Sequence, residues 1–339
     1  MAAYLRRYGD FTHAGRKDTI LRKRILDRGI ETSLISSRTK TLNSFLEKLQ
    51  RKNYDKPFEQ LTDFAGVRVV CLYRGDLAKV AEVIREEFVV VEDVDKVDEL
   101  GADQFGYGAR HYILQLGKSS SGARYDDLKK LVCEVQVRTV VQDAWAIIQH
   151  HIVYKRESQV PTQLQRKLNS LAGLFETVDD QFERIRSERD AYVVDVRQSA
   201  GAPDAFLENE LNLDSFKEYL TWAFPGRGLE AYQGQGQLCL DGLLVAGYKT
   251  LLDVHRIVGE TDTARKELIR ELGERIPRPD DGSVPANVEV ALALALTSPT
   301  WEGLIPWRST WVDTIRKYRT TLANKPVKRT GGRRRPPAA

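Results

Sequence analysis

An α+β fold is what this sequence predicts, with strands and helices interleaved over the first half of the chain and a mainly helical module after it. Three observations carry that reading. Val67 to Tyr73, Asp76 to Glu87 and Phe88 to Val94 form a strand–helix–strand unit, Arg110–Leu116 and Leu131–Val137 add two strand-like runs, and beyond Thr139 the apolar spacing is almost entirely helical. At 339 residues, 42% apolar and 29% charged, the chain is long enough for two ordinary cores.

The first 30 residues carry weak helical periodicity and a basic cluster at Arg22, Lys23, Arg24 and Arg28. In the next segment, Arg38-x-Lys40-x-x-x-Ser44-x-x-x-Lys48, the last three positions step by four and stack on one helical face, with Leu42, Phe45, Leu46 and Leu49 opposite. The apolar side is expected to bury against a sheet. The other side presents a hydroxyl between two ammonium groups, with Arg38 near the helix N-terminus, an array suited to a polyphosphate or to an ordinary solvated basic face. Asp63-x-x-Gly66-x-Arg68 stands at the start of the first strand, where a carboxylate can hold Mg²⁺ against ATP phosphates.

Leu77, Val80, Ala81 and Ile84 form the apolar side of the helix that follows, and an acidic connection (Asp93, Asp95, Asp98, Glu99, Asp103) leads to the Arg110 strand and a Ser/Gly loop at Ser119 to Gly122. In the Leu131 run, Leu131, Cys133, Val135 and Val137 share one face, whereas Glu134, Gln136 and Arg138 share the other. A charged face on a half-buried strand in mid-domain points to a site.

Thr139 to about Tyr154 reads as a helix. After Pro161, Leu164, Leu168, Leu171, Phe175, Val178, Phe182 and Ile185 form an apolar stripe that packs back on its own domain or pairs with a second copy as a coiled coil. Ser199 to Pro203 is the linker candidate, which places a catalytic domain at 1–198, a helical accessory module at 204–324 and a basic, disordered tail at 325–339. Turns fall at Pro225-Gly226 and Pro277 to Pro285, and Trp222, Trp301, Trp307 and Trp311 serve the second module as core or as an interaction surface.

Composition narrows the function. The longest apolar runs fall short of the roughly 18 residues of a membrane span, and the basic, polar N-terminus has no signal-peptide core, so a cytoplasmic protein without a membrane partner is expected. Cys71, Cys133 and Cys239 are too scattered for a disulfide framework or a zinc site. The net charge of +4 is concentrated in the N-terminal cluster and in Lys325, Lys328, Arg329, Arg333, Arg334 and Arg335, which suits an anionic partner or a solvated helix face and tail. There is neither a G-x-x-x-x-G-K-[ST] loop nor a protein-kinase signature. Phosphoryl or pyrophosphoryl transfer needs carboxylates for Mg²⁺, cations along the phosphates and a base. Asp63 and Glu134 are the metal candidates, Glu134 is also the candidate base, and Arg38, Lys40, Lys48 and Arg68 are the phosphate candidates.

Taken in order, Arg38-x-Lys40-x-x-x-Ser44-x-x-x-Lys48, Asp63-x-x-Gly66-Val67-Arg68-Val69-Val70, Gly106-Tyr107-x-x-x-His111, Glu134-Val135-Gln136-Val137-Arg138-Thr139 and Ala144-Trp145-Ala146-x-x-x-His150-x-x-x-Tyr154-Lys155 resemble the synthetase domain of the RelA/SpoT alarmone synthetases, over about residues 30–190. The resemblance implies a nucleotidyltransferase-like mixed β-sheet flanked by helices, and an enzyme that moves the β,γ-pyrophosphate of ATP to a ribose 3′-hydroxyl. It implies ATP on Arg38, Lys40, Ser44, Lys48 and Arg68, Mg²⁺ on Asp63 and Glu134, Tyr107 stacked on the acceptor base, and His111, Gln136 and Arg138 lining the site. Such stacking is worth about 1–3 kcal/mol.

The departures fall on the acceptor side. The acceptor loop reads Asp103-Gln104-Phe105-Gly106-Tyr107-Gly108-Ala109-Arg110-His111, without the Asn and the polar pair common in the family, and Gln149 stands where a Glu is usual. No histidine-aspartate hydrolase domain is expected, so the chain resembles the small, stand-alone synthetases. Three functions follow: a GDP/GTP-using maker of (p)ppGpp-type alarmones, a toxin-like tRNA 3′-end pyrophosphokinase controlled by the C-terminal module, and a degenerate nucleotide-binding regulatory module.

Overall fold

The computed structural model describes residues 17–51, 54–95, 108–117, 120–122, 125–152, 161–229, 234–276, 278, 282–298 and 309–323. They fall into two compact units, residues 1–187 and 188–339.

In the first unit the elements run α1 (Lys17–Asp27), β1 (Thr32–Thr39), α2 (Leu42–Arg51), α3 (Pro57–Gln60), β2 (Ala65–Cys71), α4 (Gly75–Glu87), β3 (Phe88–Asp95), β4 (Arg110–Leu116), β5 (Cys133–Thr139), α5 (Val140–Ile152) and α6 (Thr162–Ser199), the last continuing into the second unit. The five strands lie in the order β1-β2-β5-β4-β3. The β2–β5 pair is parallel and the other three pairs are antiparallel, so the sheet is mixed, with helices flanking it.

Alternation along the strands decides the two faces. Val67, Val69 and Cys71 of β2, Cys133, Val135 and Val137 of β5 and Tyr112, Leu114 and Leu116 of β4 are buried in one core with Val80, Ala81 and Ile84 of α4 and Leu21 and Ile25 of α1. The opposite face carries Arg68, Glu134 and Gln136, which remain partly exposed. Gly117, just past β4, lets the chain pass the end of α4, because a Cβ there would lie 2.2 Å from the Glu87 carbonyl oxygen.

Several elements differ from the sequence reading. β1 was not expected: its serines mask the alternation, and Ile35 is its one buried apolar side chain, while Leu34 stays 45% exposed on this edge strand. Arg38 therefore sits on a strand, and the helix begins only at Leu42. On α2, Phe45 packs between Phe58 and Phe64 and Leu49 reaches the core, but Leu42 and Leu46 are half exposed, so the buried face is narrower than the leucine pattern implies. The stripe on α6 packs only in its middle, where Leu168, Ala172, Phe175 and Val178 meet Val141 and Trp145, whereas Leu164, Leu171, Phe182 and Ile185 are exposed.

The second unit is helical, with α7 (Pro203–Leu207), α8 (Leu213–Ala223), α9 (Gln235–Val245), α10 (Leu251–Glu260), α11 (Asp262–Leu272), α12 (Ala286–Thr297) and α13 (Ser309–Ala323). Every residue of α12 from Ala286 to Leu296 is buried, and α8, α9, α10, α11 and α13 pack around it. The division between units falls inside α6, at Ser187/Glu188, where the sequence reading places it at Ser199 to Pro203. Tyr192, Val196 and Ala200 belong to the helical core, and Ser199 caps a turn by donating to the Val196 carbonyl at 2.6 Å. Trp222 and Trp311 also join that core, while Trp301, Trp307 and residues 325–339 lie outside the described residues. Among the described residues, no helix is long and apolar enough to cross a membrane.

Candidate active site

Strand register builds the site row by row. Arg38 pairs with Gly66, and Gly66 pairs with Glu134, so the three lie across β1, β2 and β5 in one line. One pleat further, Ser36, Arg68, Gln136 and His111 form a second line across β1, β2, β5 and β4. Because strand side chains alternate, both lines project on the polar face. A cleft of about 200 Å³ opens there, lined by Ser36, Ser37, Arg38, Gly66, Val67, Arg68, Glu134 and Gln136. A neighbouring cleft of about 420 Å³ shares Arg38, Arg68 and Gln136 and adds Arg138, Ala146, Ile147, His150 and His151.

Hydrogen bonds hold Glu134 from two sides, with His111 Nδ1 2.9 Å from Oε1 and Gln136 Nε2 donating to Oε2 at 3.2 Å. Arg138 in turn donates to the Gln136 carbonyl oxygen, which orients that amide. Burial is the largest influence on Glu134 and opposes its ionisation, as does the nearby charge of Asp63, but the hydrogen bond and charge of His111 together with the Gln136 bond outweigh them and hold the carboxyl below its ordinary range. Asp63 follows the same logic. Burial resists its charge, and Lys40 and Lys48, whose ammonium groups lie 2.6 and 2.8 Å from Oδ2, keep it ionised.

Arg138 is 5% exposed, and burial together with the adjacent Arg68 guanidinium pushes its pKa down. Asp143, in the first turn of α5, offsets both cations, with Arg68 at 3.2 Å and Arg138 at 3.4 Å.

Of the residues singled out by sequence, Arg38, Arg68, Glu134, Gln136 and Arg138 line these two clefts, and His111 bonds Glu134. Lys40 and Lys48 gather on Asp63 instead. Ser44 is exposed in the first turn of α2, accepting from Thr41 at 3.0 Å. Tyr107 lies outside the described residues. Ser36, Asp143 and His151 were missed. The alternation of Ser36 with Arg38 could have found the first, and an acid in the first turn of a helix following an arginine strand could have found the second.

The donor set suits a hard divalent cation. Asp63 Oδ1 is buried without a hydrogen-bond partner, and both carboxylates are held ionised. No group of three or more His, Cys, Asp or Glu that could hold a metal occurs among the described residues. Two carboxylates with substrate phosphates are the usual Mg²⁺ arrangement, whereas a metal cage built from protein alone is not.

A family model described as a region found in RelA / SpoT proteins matches residues 37–159, a span that contains every site residue singled out by sequence. The chain is 30% identical over 160 residues to GTP pyrophosphokinase YwaC of Bacillus subtilis (strain 168), covering 45% of this chain and 73% of that protein. It is 27% identical over 157 residues to GTP pyrophosphokinase YjbM of the same organism, covering 45% and 72%. The crystal structure of the small alarmone synthetase 2 from Bacillus subtilis is similar with a TM-score of 0.46 and 25% identity, over 55% of this chain and 98% of that one.

Proposed function

This chain belongs to the RelA/SpoT family and is a nucleotide pyrophosphokinase, and we propose that it moves the β,γ-pyrophosphate of ATP to the ribose 3′-hydroxyl of GDP or GTP, giving a (p)ppGpp-type alarmone. The observation that carries the reading is the cleft in which an ionised Glu134 stands in line with Arg38, beside a second line formed by Arg68, Gln136 and His111.

The 3′-oxygen of the acceptor attacks the β-phosphorus of ATP as the bond from that phosphorus to the α,β-bridging oxygen breaks, and AMP leaves. Glu134 accepts the proton of the attacking hydroxyl, oriented by His111 and by the Arg138–Gln136 relay of hydrogen bonds. Arg38 and Arg68 offer planar forks to phosphate oxygens. Lys40 and Lys48, which gather on Asp63, would supply point charges to the phosphates, with Ser44 in the first turn of α2. Asp63 and Glu134 would hold Mg²⁺, which supplies charge neutralisation on the phosphates. His111, Gln136, Arg138 and Tyr107 serve the acceptor. We place the reaction in the cytoplasm, where both nucleotides are found.

A guanine nucleotide is favoured over tRNA by the state of the N-terminal basic cluster. Arg24 pairs with Glu87 at 2.7 Å, Arg28 pairs with Glu86 and Arg22 donates to the Ile35 carbonyl at 2.7 Å, so three of its cations are engaged within the protein. The test is incubation with ATP labelled in its γ-phosphate and GDP, GTP or bulk tRNA. Label should enter GDP and GTP, and Glu134→Gln should cut the transfer by about a hundredfold or more. Label in tRNA alone would replace this reading with that of a tRNA 3′-end pyrophosphokinase.

A further inference from the structure

A hydroxyl and an acid meet in the interior of the first unit. Thr139, at the end of β5, is 0% exposed, and Asp179, on α6, is 1% exposed. The Thr139 hydroxyl donates to Asp179 Oδ2 at 2.6 Å, within the range of a charge-assisted O–H···O⁻ bond. Neither residue lines either catalytic cleft.

The same hydroxyl caps α5. The Gln142 N–H donates to Thr139 Oγ1 at 3.0 Å, and Gln142 Oε1 accepts from the Thr139 N–H at 2.8 Å, a reciprocal capping box that opens the helix. Asp143, the next residue, sets Oδ1 3.2 Å from Arg68 and 3.4 Å from Arg138. Where α5 begins therefore decides where Asp143 stands. Apolar packing does not decide it alone: Val141 and Trp145 rest on Leu168, Ala172, Phe175 and Val178 of α6, and contact of this kind is non-directional. Burying a carboxylate at this junction loses solvation that an apolar residue would not. What it adds is direction, because a bond from the capping hydroxyl fixes α5 along its axis. A displacement of Asp143 by about 1 Å would take both guanidinium contacts beyond hydrogen-bond reach.

We propose that Asp179 is a positioning residue for the transfer, acting through the Thr139 cap to hold Asp143 between Arg68 and Arg138. This role rests on reading the cleft as a pyrophosphokinase site, with Arg68 on the ATP phosphates and Arg138 steadying Gln136 beside Glu134. When the Thr139–Asp179 bond is lost, Asp143 withdraws and both guanidinium groups lose their orientation. ATP binding and turnover then fall together.

The experiment is a double-mutant cycle in the full chain, below the melting temperature of every variant. Its two readouts are the calorimetric affinity for an ATP analogue with a methylene group between its α- and β-phosphates, and the rate of transfer. Asp179→Leu should weaken each by about tenfold. In an Asp143→Ala background, whatever that change does alone, adding Asp179→Leu should alter each by no more than about twofold, because the group that passes the effect on is gone. Asp179→Asn, whose amide oxygen can still accept from Thr139, and Thr139→Ser, which keeps the hydroxyl, should stay within about threefold of the unmodified chain. Asp180→Asn breaks the exposed pair with Arg74 and should leave both readouts unchanged. If Asp179→Leu fails to fold, Thr139→Val breaks the same bond from the other side and takes its place in the cycle. A tenfold loss that persists in the Asp143→Ala background would overturn the inference, since a merely structural acid acts independently of Asp143. So would an Asp179→Leu chain that binds and turns over normally. Label entering no acceptor while the binding cycle behaves as expected would instead sink the proposed transfer and leave Asp179 as a positioning residue for ATP.

Discussion

Asp63 and Glu134 are buried enough to resist ionisation, yet both titrate below the ordinary carboxylate range because donors and cations surround them. Each therefore contributes stability that is fully present above its ordinary pKa, 3.8 and 4.5, and that is lost as pH falls through the depressed folded value. His111 is the chief group lowering Glu134. Removing it as His111→Phe leaves only the Gln136 bond to oppose burial, so the acid limb of the rate profile should move to higher pH. A profile of log rate between about pH 4 and pH 8 reads this directly, and an unmoved limb would show that Glu134 is not the titrating base. The alternation of Glu134, Gln136 and Arg138 was legible in the sequence because strand period alone determines which side chains share a face. Asp143 was legible only as an acid in the first turn of a helix after an arginine-bearing strand; its contact with Arg68 crosses from α5 to β2, and no local pattern carries that pairing.

At the level of elements, the polar face depends on strands held in register, and register depends on close backbone passages as much as on apolar packing. Gly117 is such a passage. Gly117→Ala drives a methyl into the Glu87 carbonyl at the junction of α4 and β3, which must shift the start of β3 or the end of β4. The expected cost is about 1–3 kcal/mol, seen as a lowered melting temperature of the first unit; an unchanged midpoint would mean the backbone there yields freely. Sequence periodicity recovered β3 and β4 nearly to the residue and placed β2 and β5 within two residues at either end. It did not recover β1, because an edge strand with one buried side chain has little apolar signal to show.

On the scale of the whole chain, one helix serves both units. The C-terminal part of α6 supplies Val196, 1% exposed, to the second core, and Tyr192, whose hydroxyl accepts from Asn212 at 2.7 Å. A fragment of residues 188–339 should therefore fold, whereas residues 204–339 should be less stable by about 2–4 kcal/mol, having lost a buried apolar group, a hydrogen bond and the helix that carries them. Chemical denaturation of the two fragments compares them. Equal stability would place the boundary at Ser199 to Pro203, as the Ser-Ala-Gly-Ala-Pro run suggests. The exposed pairs Arg189–Asp214 and Arg197–Glu218 should account for little of the difference.

By itself the sequence determined the class of fold, the order of most elements, the family and most of the residues of the cleft, because these rest on short-range periodicity and on motifs that keep their spacing along the chain. Only the tertiary structure decided which partners those residues have. It joined β2 to β5 in parallel and so set Gly66 beside Glu134. It turned Lys40 and Lys48 onto Asp63, folded the N-terminal cations back on Glu86 and Glu87, and joined the Thr139 hydroxyl to Asp179, 40 residues further along the chain. The physical reason is common to all three. Charges interact through space over a few ångströms, and only the packing of elements from distant parts of the chain brings these groups within that range.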